Sequence, residues 1–147
     1  MKLQKILDRL QKLHPKEIDL SLDRIKGLCK KLGNPQDKIK AISVVGTNGK
    51  YSTIQSMYAI LKEANLKCNI YTSPHIKKIN ERFVFNNQEL NDDELSKLFE
   101  EIEEVNNNYP ITFFEILTAS YFHKAAKYSD NMNLIETGLF HRFDATN

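Results

Sequence analysis

The sequence predicts an α/β fold with a parallel sheet. Three observations lead to this prediction. A β-branched segment, residues 42–45, runs directly into a turn that contains Gly46 and Gly49, a helical pattern follows, and a second apolar segment comes next at residues 68–71. A strand, a glycine-containing turn, a helix and another strand in this order are the repeating unit of parallel α/β sheets.

The composition is that of a globular protein of one domain. The chain has 147 residues, of which 41% are hydrophobic and 27% are charged, as is usual for such proteins. Since no apolar run approaches the roughly 18 residues that span a bilayer and the first residues are charged, we expect a cytoplasmic protein without an anchor. Cys29 and Cys68 lie far apart in the sequence, so we expect buried thiols rather than a disulfide framework or a structural zinc site.

Charge is distributed unevenly along the chain. Residues 1–50 contain 12 Lys and Arg against 5 Asp and Glu, whereas residues 51–147 contain 9 against 14. A positive first third favours an anionic ligand such as a nucleotide, and solvated helix faces are the alternative interpretation. No basic run is interleaved with aromatic residues, which argues against nucleic-acid binding.

Two amphipathic helices are predicted before the first strand. The first covers residues 3–13, where apolar residues recur at helical spacing, and Pro15 ends it. The second runs from Ser21, the expected N-cap, to Leu32, and residues 33–35 (Gly-Asn-Pro) form its stop signal.

The remaining elements follow in order. The sequence predicts a strand at 39–45, a turn at 46–49, a helix from Lys50 to about Asn65, and a strand at 68–71. A loop at 72–80 precedes a short extended segment at 82–85 and an Asn86-Asn87 turn. An acidic helix capped by Asn91, a further helix and a last strand complete the prediction, at residues 92–105, 113–128 and 132–135.

The most informative stretch is the turn between the first strand and its helix. A helix N-terminus offers unpaired N–H groups and the positive end of a dipole, which suits a phosphate. Lys50 would supply charge to the phosphates, and a hydroxyl of Ser52 or Thr53 could reach Mg²⁺. The general Walker pattern is not met, because Val44 stands in place of its first glycine and Tyr51 separates Lys50 from Ser52. An ordinary tight turn is the alternative.

Further motifs give the chain a family resemblance. Residues 46–50 (Gly-Thr-Asn-Gly-Lys), with Ser52, resemble the phosphate loop of the folylpolyglutamate synthase/dihydrofolate synthase family, a branch of the Mur ligase-like enzymes. Other family-like segments follow the family order and cover nearly the whole chain: 22–25 (Leu-Asp-Arg-Ile), 32–35 (Leu-Gly-Asn-Pro), 72–75 (Thr-Ser-Pro-His), 80–82 (Asn-Glu-Arg), 112–115 (Thr-Phe-Phe-Glu), 136–139 (Glu-Thr-Gly-Leu) and 142–147 (Arg-Phe-Asp-Ala-Thr-Asn).

The resemblance implies a fold and a reaction. The fold would be a parallel-sheet P-loop ATPase domain of Mur ligase type, with residues 1–147 as the N-terminal part of the ATP-binding domain. In the reaction, ATP phosphorylates a carboxylate of dihydropteroate or of a folate, and the amine of L-glutamate attacks the acyl phosphate to form an amide. ATP and Mg²⁺ are the implied cofactors, and positioning and charge compensation would supply most of the catalysis.

The resemblance also assigns residues. Thr47, Asn48, Gly49, Lys50 and Ser52 match the ATP-phosphate loop, with Lys50 as the catalytic lysine. Ser73 and Glu136 match positions that hold Mg²⁺ through oxygen ligands. The positions expected to bind substrate are His75, Arg82, Thr112, Phe113, Phe114 and Glu115.

Each assignment has a structural alternative. Ser73 could be a turn residue, and Glu115 a charge favoured by a helix N-terminus. Phe113 and Phe114 fit a hydrophobic core better than a pterin-stacking surface. His14, His123 and His141 lack metal-ligand spacing.

The chain departs from the family pattern in three ways. Tyr51 replaces a glycine, and where that position needs a positive φ it would impair ATP binding. Phe140-His141 replaces a Gly-Gly pair, and we expect it to disturb the loop after Glu136. The C-terminal glutamate-ligase domain of the family is absent from the 147 residues, so we expect an incomplete sheet with an unpaired edge and a truncated chain that is inactive alone.

Three alternatives to a ligase remain at the level of the sequence. One is a non-catalytic nucleotide- or folate-binding remnant. Another is a different P-loop enzyme such as a small-molecule kinase, which would have the standard Lys-[Ser/Thr] spacing and a lid rich in arginine. The four arginines of the chain are too few and too scattered for such a lid: Arg9, Arg24, Arg82 and Arg142. The third is a fragment that needs a second chain carrying the missing part.

Overall fold

The structure is a computed structural model that describes residues 2–14, 21–138 and 144–146. In this part of the chain, five strands form one mixed sheet in the order β1-β5-β2-β3-β4. Helices cover both faces of the sheet, so the α/β prediction is confirmed.

Two of the pairings in the sheet are parallel, as the sequence predicts for an α/β fold. β1 (Lys40–Val44) and β2 (Cys68–Tyr71) both pair in parallel with β5 (Met132–Glu136), which lies between them. Because β5 enters between two strands that are consecutive in the chain, its carboxyl end lies beside the turn that follows β1. The register pairs Val44 with Glu136.

A β-hairpin extends the sheet beyond β2. β3 (Phe83–Phe85) pairs antiparallel with β2 and with β4 (Gln88–Glu89). The predicted Asn86-Asn87 turn joins the two strands with φ of 53° and 66°, the pair of positive values that a two-residue hairpin turn requires. β4 is too short to give a periodic signal, and the sequence did not predict it.

Five α-helices lie within a few residues of their predicted bounds. They are α1 (Lys2–Gln11), α2 (Asp23–Lys31), α3 (Lys50–Glu63), α4 (Asp92–Asn106) and α5 (Phe113–Ala125). Asn91 caps α4 as predicted, accepting hydrogen bonds from the backbone of Asp93 and Glu94. The expected N-cap of α2 is wrong by one residue. Leu22 occupies the N-cap position, and the Ser21 hydroxyl accepts a hydrogen bond from the Asp23 N–H.

The larger core lies on one face of the sheet. Helices α1, α2, α4 and α5 pack together there, and α5 is buried on most of its surface because it touches both the sheet side and its neighbouring helices. Alternate strand residues point to the other face, where a smaller cluster of Ile54, Ile70 and Leu134 joins α3 to the sheet. The described residues thus form three layers, with α3 alone in the third.

The α3 side of the fold is much more exposed. Ile54 is the buried residue of α3, whereas Ile60 is 70% exposed. Strand β1 has exposed or half-exposed residues along its whole length and lies at the edge of the described sheet. Within the described residues, β1 is therefore an unpaired edge of the sheet.

Asparagines replace glycine in the left-handed turns. Apart from glycines, the described residues with positive φ are all asparagines: Asn34, Asn65, Asn86, Asn87, Asn107 and Asn108. Asparagine tolerates this conformation better than other residues with a side chain, which explains how a chain with five glycines turns so often.

A buried amide network fixes the middle of the sheet. The side-chain oxygen of Asn133 accepts hydrogen bonds from Asn69 Nδ2 at 3.0 Å and from the Tyr121 hydroxyl at 2.8 Å. Its side-chain nitrogen donates to the backbone oxygens of Lys40 and Asn131. Every donor and acceptor of this buried amide is used, which satisfies the requirement for burying a polar group.

The cysteine prediction is confirmed, since Cys29 and Cys68 are both buried free thiols. Burial raises the pKa of the Cys29 thiol to about 11. Among the described residues, none of the helices combines the length and the apolar character needed to cross a membrane.

Candidate functional site

The glycine-containing turn joins the carboxyl end of β1 to the start of α3. Gly49 is the N-cap of α3 and has φ of 78°, a conformation that favours glycine over residues with a Cβ. A Cβ there would meet no atom within 4 Å, so the backbone conformation, not crowding, explains the glycine. Thr47, Asn48 and Gly49 are exposed, and the first N–H groups of α3 have no partner within the helix.

Lys50 folds back over the turn. Its ammonium donates a hydrogen bond to the Gly46 carbonyl at 2.9 Å. The Thr53 hydroxyl donates to the Gly49 carbonyl at 2.9 Å, while Ser52 is exposed in the first turn of α3. The structure therefore brings a cation, a hydroxyl and a helix N-terminus to one exposed turn, which is a suitable arrangement for an anion.

The conformational argument against Tyr51 is wrong. Tyr51 lies inside α3 with a helical backbone and is absent from the described residues with positive φ. A side chain causes no backbone strain at such a position. Its ring is 57% exposed and lines a cavity of about 490 Å³, so any hindrance to a ligand would be steric.

Ser73 and Glu136 meet in that same cavity, which we call the Ser73 cavity. The Glu136 carboxylate accepts a hydrogen bond from the Ser73 backbone N–H at 3.0 Å through Oε2. Thr137, the next residue, donates both its N–H and its hydroxyl to the Val44 carbonyl. The two predicted metal ligands therefore lie together at the carboxyl ends of parallel strands, where ligands bind in open α/β sheets.

No group of three or more His, Cys, Asp or Glu side chains with metal-binding geometry occurs in the part of the chain that the structure describes. Ser73 and Glu136 provide oxygen donors. Such a sparse set fits Mg²⁺, which keeps several waters and is held by one or two carboxylates together with substrate phosphates.

His75 and Arg82 form a second pair, and His75 belongs to the loop that also carries Ser73. Arg82 Nε donates a hydrogen bond to His75 Nδ1 at 2.9 Å, and Arg82 is 9% exposed. Burial, followed by the positive charge of Arg82, lowers the pKa of His75. Because Nδ1 accepts this bond, a neutral His75 carries its proton on Nε2.

His75 lines a separate cavity of about 330 Å³, the His75 cavity, which extends to α1 and Phe113. The loop thus has Ser73 on one cavity and His75 on the other. Phe114 does not line the His75 cavity. Its ring lies 6.4 Å from that of Tyr71, against the core, so the two adjacent phenylalanines have different surroundings.

Thr112 and Glu115 begin α5 as a capping box. The Thr112 hydroxyl accepts from the Glu115 N–H, and the Glu115 carboxylate accepts from the Thr112 N–H at 2.8 Å. The same carboxylate accepts two hydrogen bonds from Arg24, at 3.0 and 3.1 Å. Glu115 is 3% exposed, and these bonds give it a structural role. Whether Thr112 and Glu115 also contact a substrate stays a prediction.

Three polar residues of the motif segments make defined contacts and were not among the predicted ligands. Arg24 pairs with Glu115, Glu81 accepts hydrogen bonds from three backbone N–H groups, and Asp144 accepts from the N–H and hydroxyl of Thr146. Gly138 packs so closely on the Asp144 carboxylate that a Cβ there would clash. All three occur in motifs that the sequence resemblance identified, which was the available signal. The Phe140-His141 prediction lies outside the described residues.

Comparison of the chain with known proteins gives a consistent set of relatives. No protein-family model matches the chain. A dihydrofolate synthase/folylpolyglutamate synthase of Haemophilus influenzae is 39% identical over 141 residues, which is 96% of this chain and 32% of the relative. The enzyme of the same description from Bacillus subtilis is 38% identical over 134 residues, covering 86% and 31%. The chain therefore spans about a third of the length of the curated relatives it matches.

Solved structures agree with the sequence comparison. The Escherichia coli FolC structure in complex with DHPP and ADP superposes with a TM-score of 0.90 and 34% identity, covering 98% of this chain and 35% of that one. The Mycobacterium tuberculosis folylpolyglutamate synthase complexed with ADP gives a TM-score of 0.85 at 28% identity, covering 99% and 34%. A Yersinia pestis bifunctional folylpolyglutamate synthase/dihydrofolate synthase complexed with AMPPNP and Mn ion gives 0.88 at 34% identity, covering 98% and 35%.

Proposed function

We propose that the chain belongs to the folylpolyglutamate synthase/dihydrofolate synthase family, to whose members it is similar over almost its whole length. In this proposal it binds ATP as part of an ATP-dependent ligase that joins L-glutamate to a folate or dihydropteroate. The observation that carries the proposal is the exposed turn between β1 and α3, where Gly49 caps the helix and Lys50 lies over the loop. Solved relatives with ADP or AMPPNP support a nucleotide at such a site.

In this proposal each residue has a defined task. The N–H groups at the start of α3, with Thr47, Asn48 and Gly49, bind the phosphates, and Lys50 exchanges its bond to Gly46 for a phosphate oxygen. Ser73 and Glu136 hold Mg²⁺, and the Mn ion in a solved relative supports a divalent metal. ATP supplies the phosphoryl group that activates the substrate carboxylate.

The folate or dihydropteroate would be bound by His75, Arg82 and the start of α5. DHPP in one solved relative and L-glutamate in another support this substrate class. We also propose the cytoplasm as the compartment, as the sequence leads us to expect.

We also propose that the chain alone binds nucleotide without completing the ligation. The specific observation is the exposure of apolar side chains on β1, in the turn that follows it and on α3, with Ile42 at 38%, Val45 at 51% and Ile60 at 70%. Apolar side chains exposed on this side of the fold favour a contact with other protein. A second polypeptide equivalent to the remaining length of the relatives would then be needed for turnover.

Calorimetric titration of the chain with Mg-ATP tests the first part of the proposal. Lys50→Ala should weaken binding at least about tenfold, because it removes a charge-assisted bond to phosphate. Lys62→Ala is the matched control, since it removes a lysine from the other end of the same helix, where its ammonium lies near the Tyr58 ring. Equal affinity in wild type and Lys50→Ala would contradict the assigned phosphate site.

An assay for glutamate incorporation into dihydropteroate separates the two candidates. Turnover by the wild-type chain above Lys50→Ala supports a self-sufficient ligase. Nucleotide binding without turnover supports a chain that needs a second polypeptide, provided that adding the remaining two thirds of a relative in trans restores turnover. Tyr51→Gly tests whether the ring hinders nucleotide binding, and unchanged affinity in that variant would exclude the hindrance.

A further inference from the structure

The loop of residues 73–78 bears two predicted ligand-binding residues, yet burial contributes little to its position. Pro74, Ile76, Lys77 and Lys78 are all exposed, and Ile76 is 88% exposed. An apolar side chain that remains in solvent provides no hydrophobic anchor. The loop must therefore be fixed mainly by polar contacts.

One carboxylate makes most of those contacts. Glu81 Oε2 accepts a hydrogen bond from the Ile76 N–H at 2.8 Å, and Oε1 accepts from the N–H groups of Lys77 and Lys78 at 2.9 and 2.8 Å. These bonds, with Ile76 the largest contributor, lower the pKa of Glu81. Three consecutive backbone donors on one ionised acceptor form a charge-assisted clamp.

Two further contacts hold the functional residues of the loop. Glu136 accepts from the Ser73 N–H, and Arg82 donates to the His75 ring. These contacts lie at the start and middle of the loop, whereas Glu81 holds its end. The Glu81 clamp therefore determines where the backbone that carries Ser73 and His75 returns to the protein.

We propose that Glu81 is a positioning residue that sets Ser73 toward the Ser73 cavity and His75 toward the His75 cavity, and so prepares the loop to bind the folate-class substrate. This inference rests on the proposed function. Glu81 lines the Ser73 cavity, and in this proposal it acts through the backbone of the loop and not through a contact with the substrate. Its contribution is to restrict the loop before the ligand arrives, which reduces the ordering cost of binding.

Other parts of the protein do not depend on the Glu81 clamp. Glu81 is outside both hydrophobic clusters, and the turn at 46–50 makes its own hydrogen bonds to Lys50 and Thr53. Removal of the carboxylate should therefore release the loop without unfolding the core and without changing metal-free ADP binding.

Two substitutions and one control test the proposal on the full chain. Glu81→Ala removes all three acceptor interactions. Glu81→Gln keeps one side-chain oxygen as an acceptor and places an NH₂ group against the remaining donors. Glu89→Gln is the matched control, because Glu89 is an exposed carboxylate beside the same Ser73 cavity and makes no side-chain hydrogen bond to the described residues.

The readouts are backbone amide exchange by NMR, the affinities for 7,8-dihydropteroate and for metal-free ADP, and the urea unfolding midpoint. In Glu81→Ala we expect amide protection of Ile76, Lys77 and Lys78 to be lost and dihydropteroate affinity to fall at least about tenfold. Glu81→Gln should lose roughly threefold. ADP affinity and the midpoint should stay close to wild type, and Glu89→Gln should match wild type throughout.

The outcomes distinguish this inference from the proposed function. Unchanged dihydropteroate affinity or retained amide protection in Glu81→Ala, with a wild type that binds, overturns the role of Glu81 alone. An equal loss in Glu89→Gln would show that cavity charge, not loop position, is responsible. A wild-type chain that binds neither dihydropteroate nor ADP overturns the proposed function, and the inference with it.

Discussion

The ion pair between Arg24 and Glu115 gives a quantitative test of how the structure is held at the start of α5. Glu115 accepts three hydrogen bonds there, two from Arg24 and one from the Thr112 N–H. The side chains are 14% and 4% exposed for Arg24 and Glu115. Removing one partner of a buried pair leaves an uncompensated charge, which typically costs about 3–5 kcal/mol.

We therefore expect Arg24→Met to lower the free energy of unfolding by about 3–5 kcal/mol. Glu115→Gln should cost less, about 1–3 kcal/mol, because the amide oxygen still accepts a hydrogen bond. Arg24, the more exposed partner, also keeps its bond to the Ser21 carbonyl. With an m-value of about 2–3 kcal/mol per molar urea for a chain of this size, Arg24→Met would shift the unfolding midpoint by roughly 1–2.5 M.

The double variant completes the measurement. Once Glu115 is neutral, Arg24→Met should cost at least about 1 kcal/mol less than it does alone, because no charge is left unpaired. Urea unfolding followed by circular dichroism supplies all four free energies. Additive losses, or a cost below about 1 kcal/mol for Arg24→Met, would refute the reasoning and leave Glu115 free for the substrate role that the sequence assigned.

Two other predictions concern buried groups. Asn133→Leu should lower the free energy of unfolding by about 2–4 kcal/mol, because it leaves Asn69 Nδ2 and the Tyr121 hydroxyl without their acceptor, whereas Tyr121→Phe should cost less in the same urea titration. Burial raises the pKa of Cys29 to about 11, so the unfolded state, whose thiol ionises near 9, binds fewer protons than the native state at alkaline pH. The free energy of unfolding should therefore decrease as pH rises from about 9 towards 11, and Cys29→Val should lose that part of the pH dependence.

Local features of the fold could be predicted from the sequence. The strand, turn and helix around Gly49 follow from contiguous residues. The cap of α4 is local as well, since Asn91 and Glu94, three positions later, form its capping box. The order of the sheet could not be predicted in the same way. The insertion of β5 between β1 and β2 depends on pairing across the whole chain, and short-range periodicity contains no information about it.

In the candidate site, too, local features could be predicted and contacts between distant residues could not. The turn between β1 and α3 was predictable because its residues are adjacent in the chain. The contact between Ser73 and Glu136 joins residues 63 apart in the sequence, and the pair of Arg24 and Glu115 joins residues 91 apart. Motif resemblance placed Ser73 and Glu136 together as metal ligands, but it gave no sign that Arg24 and Thr112 use the carboxylate of Glu115.

The use of asparagine at the left-handed positions has a thermodynamic consequence. At Asn34, Asn65 and Asn107, for example, glycine would relieve the steric cost of a positive φ, yet it would also give the denatured chain more conformations to lose on folding. The relief of steric cost stabilises the folded state, and the added freedom of the denatured chain destabilises it. Each effect changes the free energy of unfolding by roughly 0.4–1 kcal/mol per site, in opposite directions. Replacing every such asparagine by glycine would therefore change stability little, and the chain makes its reversals without the extra disorder that glycine brings to the denatured ensemble.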